Sequence, residues 1–149
     1  MLENGIEIYI PSSEVSRVRL PPGWDKVRGI LSRLPFAALK RWTVAFPRQA
    51  IDEAKLLVRD LAINVEFKDN RGVVNVVPAG VDKGSSLKEA LKMLGVEGWI
   101  AAVGDGLVDL DLFRVADFKA TVSDAEEEVK KAADYVASRG NRVILTNIA

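Results

Sequence analysis

The sequence predicts an α/β protein, with an α+β first half and a partial Rossmann-like core in the second. Three observations carry this reading. Helix-spaced and strand-spaced apolar segments alternate along the chain. Pro78-Ala79-Gly80 breaks the pattern near its middle. Trp99 to Val103 is a short, continuous apolar run, as expected of a strand covered on both faces of a parallel sheet, and it leads directly into Gly104-Asp105-Gly106.

The elements follow in order. Ile6 to Ile10 alternates and reads as a strand closed by Pro11-Ser12-Ser13. After the break at Pro21-Pro22-Gly23, Trp24, Val27, Ile30, Leu31 and Leu34 have helical spacing, and Pro35 stops the helix. Trp42 to Phe46 reads as a strand ended by Pro47. Gln49 to Leu61 is a helix with Ile51, Ala54, Leu57, Val58 and Leu61 on one face. Ile63–Phe67 and Val73–Val77 pair as a hairpin around the turn residues Lys68 to Gly72.

Beyond the break, Ser85 to Leu94 is a helix with Leu87, Ala90, Leu91 and Leu94 inward and Gly95 just past its end. Trp99 to Val103 is a strand, Leu107 to Val115 a short helix and Phe118 to Val122 a strand. Ser123-Asp124-Ala125-Glu126 reads as a capping box for a helix running to about Ser138. Val143 to Thr146 is a last strand. Trp24, Trp42 and Trp99 read as core.

Composition narrows the chemistry. Among 149 residues there is no cysteine and no histidine. Thiolate metal sites, disulfides, cysteine nucleophiles and imidazole bases are therefore excluded within these residues. Any chemistry falls to carboxylates, lysine, arginine, hydroxyls or an oxygen-ligated metal. Lys plus Arg and Asp plus Glu are each 21, so net charge is zero, which lowers the rank of nucleic-acid binding through Arg41, Arg48 and Arg59 or of a membrane surface. No apolar run approaches a membrane span, and Met1 to Ile10 lacks the basic start of a signal peptide, so a cytoplasmic location is expected.

One constellation points to chemistry. Asp105 and Asp109 follow a buried strand, where open α/β sheets place their ligand crevice. Two carboxylates four residues apart across a turn suit Mg2+, which takes phosphate oxygens as further ligands. Lys83, in Gly80-Val81-Asp82-Lys83-Gly84, stands just before a helix N-terminus, where charge and free amides favour an anion. Together these suggest phosphate-ester chemistry. Asp82 and Asp111 read as surface or capping groups, and Glu126 to Lys131 as a solvated helix face.

Gly80 to Leu87, followed by Ala102 to Phe113, resembles the haloacid dehalogenase-like superfamily, in particular its archaeal phosphoglycolate phosphatase and sucrose-phosphatase-like branch. Val115 to Ala125 and Val129 to Val136 fit the continuation of that pattern. The resemblance is strongest over residues 80–137 and collinear but looser over 1–79. It implies a truncated Rossmann-like core at 80–149 and an inserted α/β cap at 1–79, with the end of a core strand near Glu3-Asn4-Gly5. It implies Mg2+-dependent hydrolysis of a phosphate monoester. Lys83 matches the lysine that stabilises the phosphoryl charge; Asp105 and Asp109 match the acidic motif that holds the metal.

The sequence also departs from the family. The nucleophilic Asp-x-Asp is absent; Asp109-Leu110-Asp111 has its letters but lies inside the last motif. Leu107 and Val108 replace residues that are often Glu and usually Asn. The nucleophile and the hydroxyl motif are expected upstream of Met1, so this chain alone is expected to be inactive. The missing strands would pair beside Trp99–Val103, leaving an edge that a homodimer or a partner with those strands would cover. Val143 to Thr146 resembles the family's second motif, which would place Thr146 at a phosphate site, although a plain terminal strand is the simpler reading. The alternative function is a non-catalytic homodimer with a weak Mg2+ and phosphate site. The substrate is not legible; Arg48 and Lys68 would be guesses for its selection.

Overall fold

In the computed structural model, which describes residues 1–138, the alternating segment near the start becomes one arm of a hairpin. Strand β1 (Glu7–Ile10) pairs antiparallel with β2 (Val15–Val18). The sequence pattern does not announce β2, because Ser16 and Arg17 interrupt it and all four of its residues are exposed. Glu3–Gly5 forms a 3₁₀ turn ahead of the hairpin.

The chain divides between Asp82 and Lys83 into two compact units. In the first, α1 (Trp24–Leu31) and α2 (Ile51–Val58) pack on an antiparallel sheet in the order β3-β4-β6-β5. Its strands are β3 (Ala38–Leu39), β4 (Val44–Pro47), β5 (Val65–Asn70) and β6 (Val73–Pro78). Both helices are shorter than their apolar spacing predicts. Past Leu31 the chain continues as turns, although Leu34 stays buried. Arg48–Ala50 is a 3₁₀ turn rather than the first turn of α2.

The core follows the helical spacing except at Leu57, expected on the inward face but 40% exposed. Trp24, Val27 and Leu31 of α1 meet Ala54 and Val58 of α2 over Val44, Phe46, Val74 and Val76 of the sheet. Each such fully buried large side chain contributes on the order of 1.5–3 kcal/mol. Strand β6 alternates faces, so Val77 packs the other way, with Ile6 and Val81. The β5–β6 register pairs Asn70 with Val73 and leaves Arg71-Gly72 as a two-residue turn. Their φ values are 51° and 90°, the left-handed pair that such a tight hairpin turn requires.

The second unit alternates strictly. Helix α3 (Lys83–Leu94) precedes β7 (Ala101–Val103); α4 (Leu110–Phe113) precedes β8 (Phe118–Val122); α5 (Glu127–Ala132) precedes β9 (Tyr135–Ala137). The strands form a parallel sheet in the order β7-β8-β9. Helix α3 ends as its glycine predicts. Gly95 has φ 63° and donates to the Lys92 carbonyl, and Val96 donates to that of Leu91.

Four expectations are corrected here. Residues 123–138 are not one helix. The Ala125 amide is held by the Val122 carbonyl, and Glu126, with ψ 144°, is itself the N-cap of α5. The helix then stops at Ala132. Asp134 donates its amide to Lys119 O and accepts the Lys119 amide on its carboxylate, which draws Tyr135–Ala137 into pairing with β8. Second, Trp99 is not core: it is 64% exposed and stacks on Phe118. Third, the strand there is only Ala101–Val103, exposed on the face of Ala101 and Val103, and Leu94 is exposed too. Fourth, Asp111 is buried, paired through Oδ1 with Arg114 at 2.6 Å.

Among the described residues β8 is the only strand paired with β7, so β7 ends the sheet. The strand expected at Val143–Thr146, with Thr146, lies outside the described residues. No helix among them is long and apolar enough to cross a membrane.

Candidate active site

The loop Gly104–Leu107 leaves the carboxyl end of β7, the end at which parallel sheets hold ligands. It turns into a 3₁₀ segment, Leu107–Asp109, that leads into α4. Asp109 folds back over the loop, and its Oδ2 accepts the amides of Asp105 and Gly106 at 3.1 and 3.2 Å. This close fold needs a glycine. A β-carbon on Gly104 would overlap that of Asp109 and come within 2.8 Å of its carboxyl carbon.

Lys83 opens α3 and reaches the same carboxylate, its Nζ lying 2.5 Å from Asp109 Oδ1. A second glycine lets α3 approach: a β-carbon on Gly84 would overlap the Asp111 carbonyl. Burial alone would raise the pKa of Asp109, but the Lys83 ammonium and the amides of Gly106 and Asp105 outweigh it. The carboxyl is held below its ordinary pKa and stays ionised.

Lys83 and Asp109 are thus in direct contact, with the Asp105 backbone on the same carboxylate. Asp105 itself lies on the exposed side of the loop, whereas Asp109 is 8% exposed. The candidate donors are hard oxygens, which suit Mg2+. Oδ2 of Asp109 has spent both lone pairs on amides, and Oδ1 keeps one beside Lys83. Asp105 is the more accessible ligand. Among the described residues no group of three or more Asp or Glu side chains gathers to hold a metal. A dication at this loop therefore has two protein carboxylates to draw on and fits only as one that keeps water or phosphate oxygens in its shell.

Two residues that shape the loop are not evident from the sequence. Thr121 of β8 is fully buried and donates its hydroxyl to the Gly104 carbonyl at 2.6 Å. Glu126 accepts the Leu107 amide on Oε1 at 3.2 Å. The one available signal is a hydroxyl residue inside the apolar strand Phe118–Val122.

The candidate site is thus a carboxylate loop at the end of a parallel strand, faced by a lysine from a helix start. The chain belongs to the haloacid dehalogenase-like hydrolase family, which it matches over residues 44–142. It is 29% identical over 143 residues to a phosphoglycolate phosphatase of Sulfurisphaera tokodaii, covering 93% of this chain and 62% of that protein. It is 28% identical over 145 residues to that of Methanothermobacter thermautotrophicus, covering 91% and 64%. With that of Methanosarcina acetivorans the figures are 30% over 97 residues, 63% and 43%. The chain therefore spans between 43% and 64% of the length of these three relatives.

Solved structures share the fold. One from Thermoplasma acidophilum has a TM-score of 0.72 at 17% identity, covering 97% of this chain and 68% of its own. The sucrose-phosphatase from Synechocystis sp. PCC6803, solved with sucrose and phosphate, has 0.64 at 18% identity, covering 83% and 60%.

Proposed function

We propose that this chain carries the lysine and acidic-loop half of a Mg2+-dependent phosphate monoester hydrolase of the phosphoglycolate phosphatase kind. The contact of Lys83 with Asp109, on the carboxylate that also gathers the Asp105 loop, carries the reading. Lys83 supplies positive charge for a phosphoryl oxygen. Asp105 and Asp109 hold the metal, which when bound spreads the negative charge of the phosphate group. Asp109 stays ionised for this role because Lys83 and two amides stabilise its charged form. Residues 1–79 serve as the cap that selects the substrate and 80–149 as part of the core.

Residues 1–149 contain no Asp-x-Asp outside the acidic motif itself. The nucleophile is accordingly contributed by another segment or by a partner chain, whose strand would add beside β7, on the side that no described strand covers. The chain by itself binds Mg2+ and does not turn over.

Two measurements test this. Mg2+ should raise the melting temperature of the 149-residue chain, and Asp105→Asn should abolish the rise. Hydrolysis of a generic aryl phosphate should be absent in the chain alone. Equal Mg2+ shifts in both proteins would remove the metal assignment. Hydrolysis that is lost in Asp105→Asn would show that a nucleophile exists within these residues.

A further inference from the structure

Every amide N–H from Gly104 to Leu107 and every carbonyl from Gly104 to Gly106 has a partner. Gly104 donates to Ala120 O, Asp105 and Gly106 to Asp109 Oδ2, and Leu107 to Glu126 Oε1. The Gly104 carbonyl accepts from Thr121 Oγ1, that of Asp105 from the Glu126 amide, and that of Gly106 from the Asp109 amide. Two side chains outside the acidic motif, Thr121 and Glu126, close this bracket.

Neither is explained by its own element. Strand β8 would be served as well by valine, and a buried hydroxyl is costly unless paired. Thr121 spends its hydroxyl on Gly104. Glu126 occupies the N-cap of α5, where a side-chain cap stabilises a helix by about 1 kcal/mol. It makes no such bond; its carboxylate goes instead to Leu107. Val108, inside the motif, is buried and apolar and has no group with which to orient a neighbour. The holding groups thus come from β8 and α5, across the parallel sheet.

We propose that Thr121 and Glu126 are positioning residues, which fix the acidic loop in the form that binds a divalent cation. This rests on the metal reading above and adds the residues that set its affinity.

The test uses the 149-residue chain and three variants. Thr121→Val keeps shape and strand preference but not the hydrogen bond. Glu126→Ala removes the acceptor, and Glu126→Gln keeps one. Without metal, amide exchange at Asp105–Leu107 should quicken about tenfold in Thr121→Val and Glu126→Ala, and match wild type in Glu126→Gln. In calorimetric titration with MgCl2 the first two should bind about tenfold more weakly and the third within about twofold of wild type. Asp105→Asn is the non-binding control.

Wild-type exchange in the first two variants would overturn the bracket. Faster exchange with unchanged Mg2+ affinity would overturn the positioning role and leave the metal reading intact. A wild-type chain that takes up no Mg2+ would overturn the metal reading and the role that depends on it.

Discussion

Gly104 lies against Asp109 so closely that no side chain fits between them: a β-carbon there would sit 3.0 Å from Asp109 Oδ2 and overlap its Cβ. Gly104→Ala should therefore push Asp109 off the Asp105 and Gly106 amides. The expected cost is about 1–3 kcal/mol of unfolding stability, typical of overpacking. The Mg2+-induced rise in melting temperature should vanish with it. Urea titrations with and without MgCl2 check both, and a variant as stable and as responsive as wild type would contradict the contact.

Lys83→Met should expose what the ammonium does for Asp109. The pair is largely buried, at 28% and 12% side-chain exposure, so its loss leaves a carboxylate short of its main partner. At neutral pH the variant should lose about 1–3 kcal/mol. The folded pKa of Asp109 lies below its ordinary value. Its stabilising contribution is therefore complete above the unfolded pKa, about 4, and is lost as pH falls through the folded one. The gap between wild type and Lys83→Met should thus narrow under acid, and urea midpoints at pH 7 and pH 3 measure it. A constant gap would mean that the ion pair is not its source.

Glu7 makes a parallel case in the first unit. It is 3% exposed and accepts the Ser16 hydroxyl at 2.6 Å and the Trp42 indole N–H at 2.7 Å. The hydrogen bonds from Ser16 and then Trp42, helped by the Arg41 charge, hold its pKa below the ordinary value against the opposing effect of burial. Glu7→Ala should cost about 1–3 kcal/mol by stranding these donors. Stability from Glu7 is again present above its unfolded pKa and lost as pH falls through the folded one. Glu7→Gln should flatten that acid limb, which a series of thermal melts from pH 7 down to pH 3 would reveal.

Gly72 differs from Gly104 in kind. A β-carbon there meets nothing within 4 Å, but φ is 90°. Gly72→Ala should cost about 1 kcal/mol from backbone strain alone. The Mg2+ response should stay unchanged, which separates it from Gly104→Ala in the same assay.

Local rules made much of the fold readable. The hairpin itself, the strand Phe118–Val122 and the Gly95 end of α3 each rest on neighbours in sequence, although Lys68 to Asn70, read as turn, extend β5 and leave only Arg71-Gly72 between the strands. Residue type and spacing single out the acidic motif and Lys83, and the structure brings Lys83 onto Asp109. What failed depended on distant partners. The short, exposed β2 and β3 exist through pairing with β1 and β4. Strand β9 interrupts a helix-like run because Asp134 binds Lys119, 15 positions away. Thr121 and Glu126 act on a loop 17 and 19 positions away, and neither distance follows a local period.

The margin of β7 that no described strand covers also bears on handling the protein. Among the described residues no strand pairs with the outer side of β7, and Val103 there is 46% exposed, with Trp99 close by in sequence, which makes a template for self-templated stacking of strands. Such growth competes with refolding in proportion to concentration. Recovery from denaturant should therefore fall as the chain is refolded at higher concentration. A single charge at Val103, such as Val103→Lys, should restore the yield without touching the acidic loop.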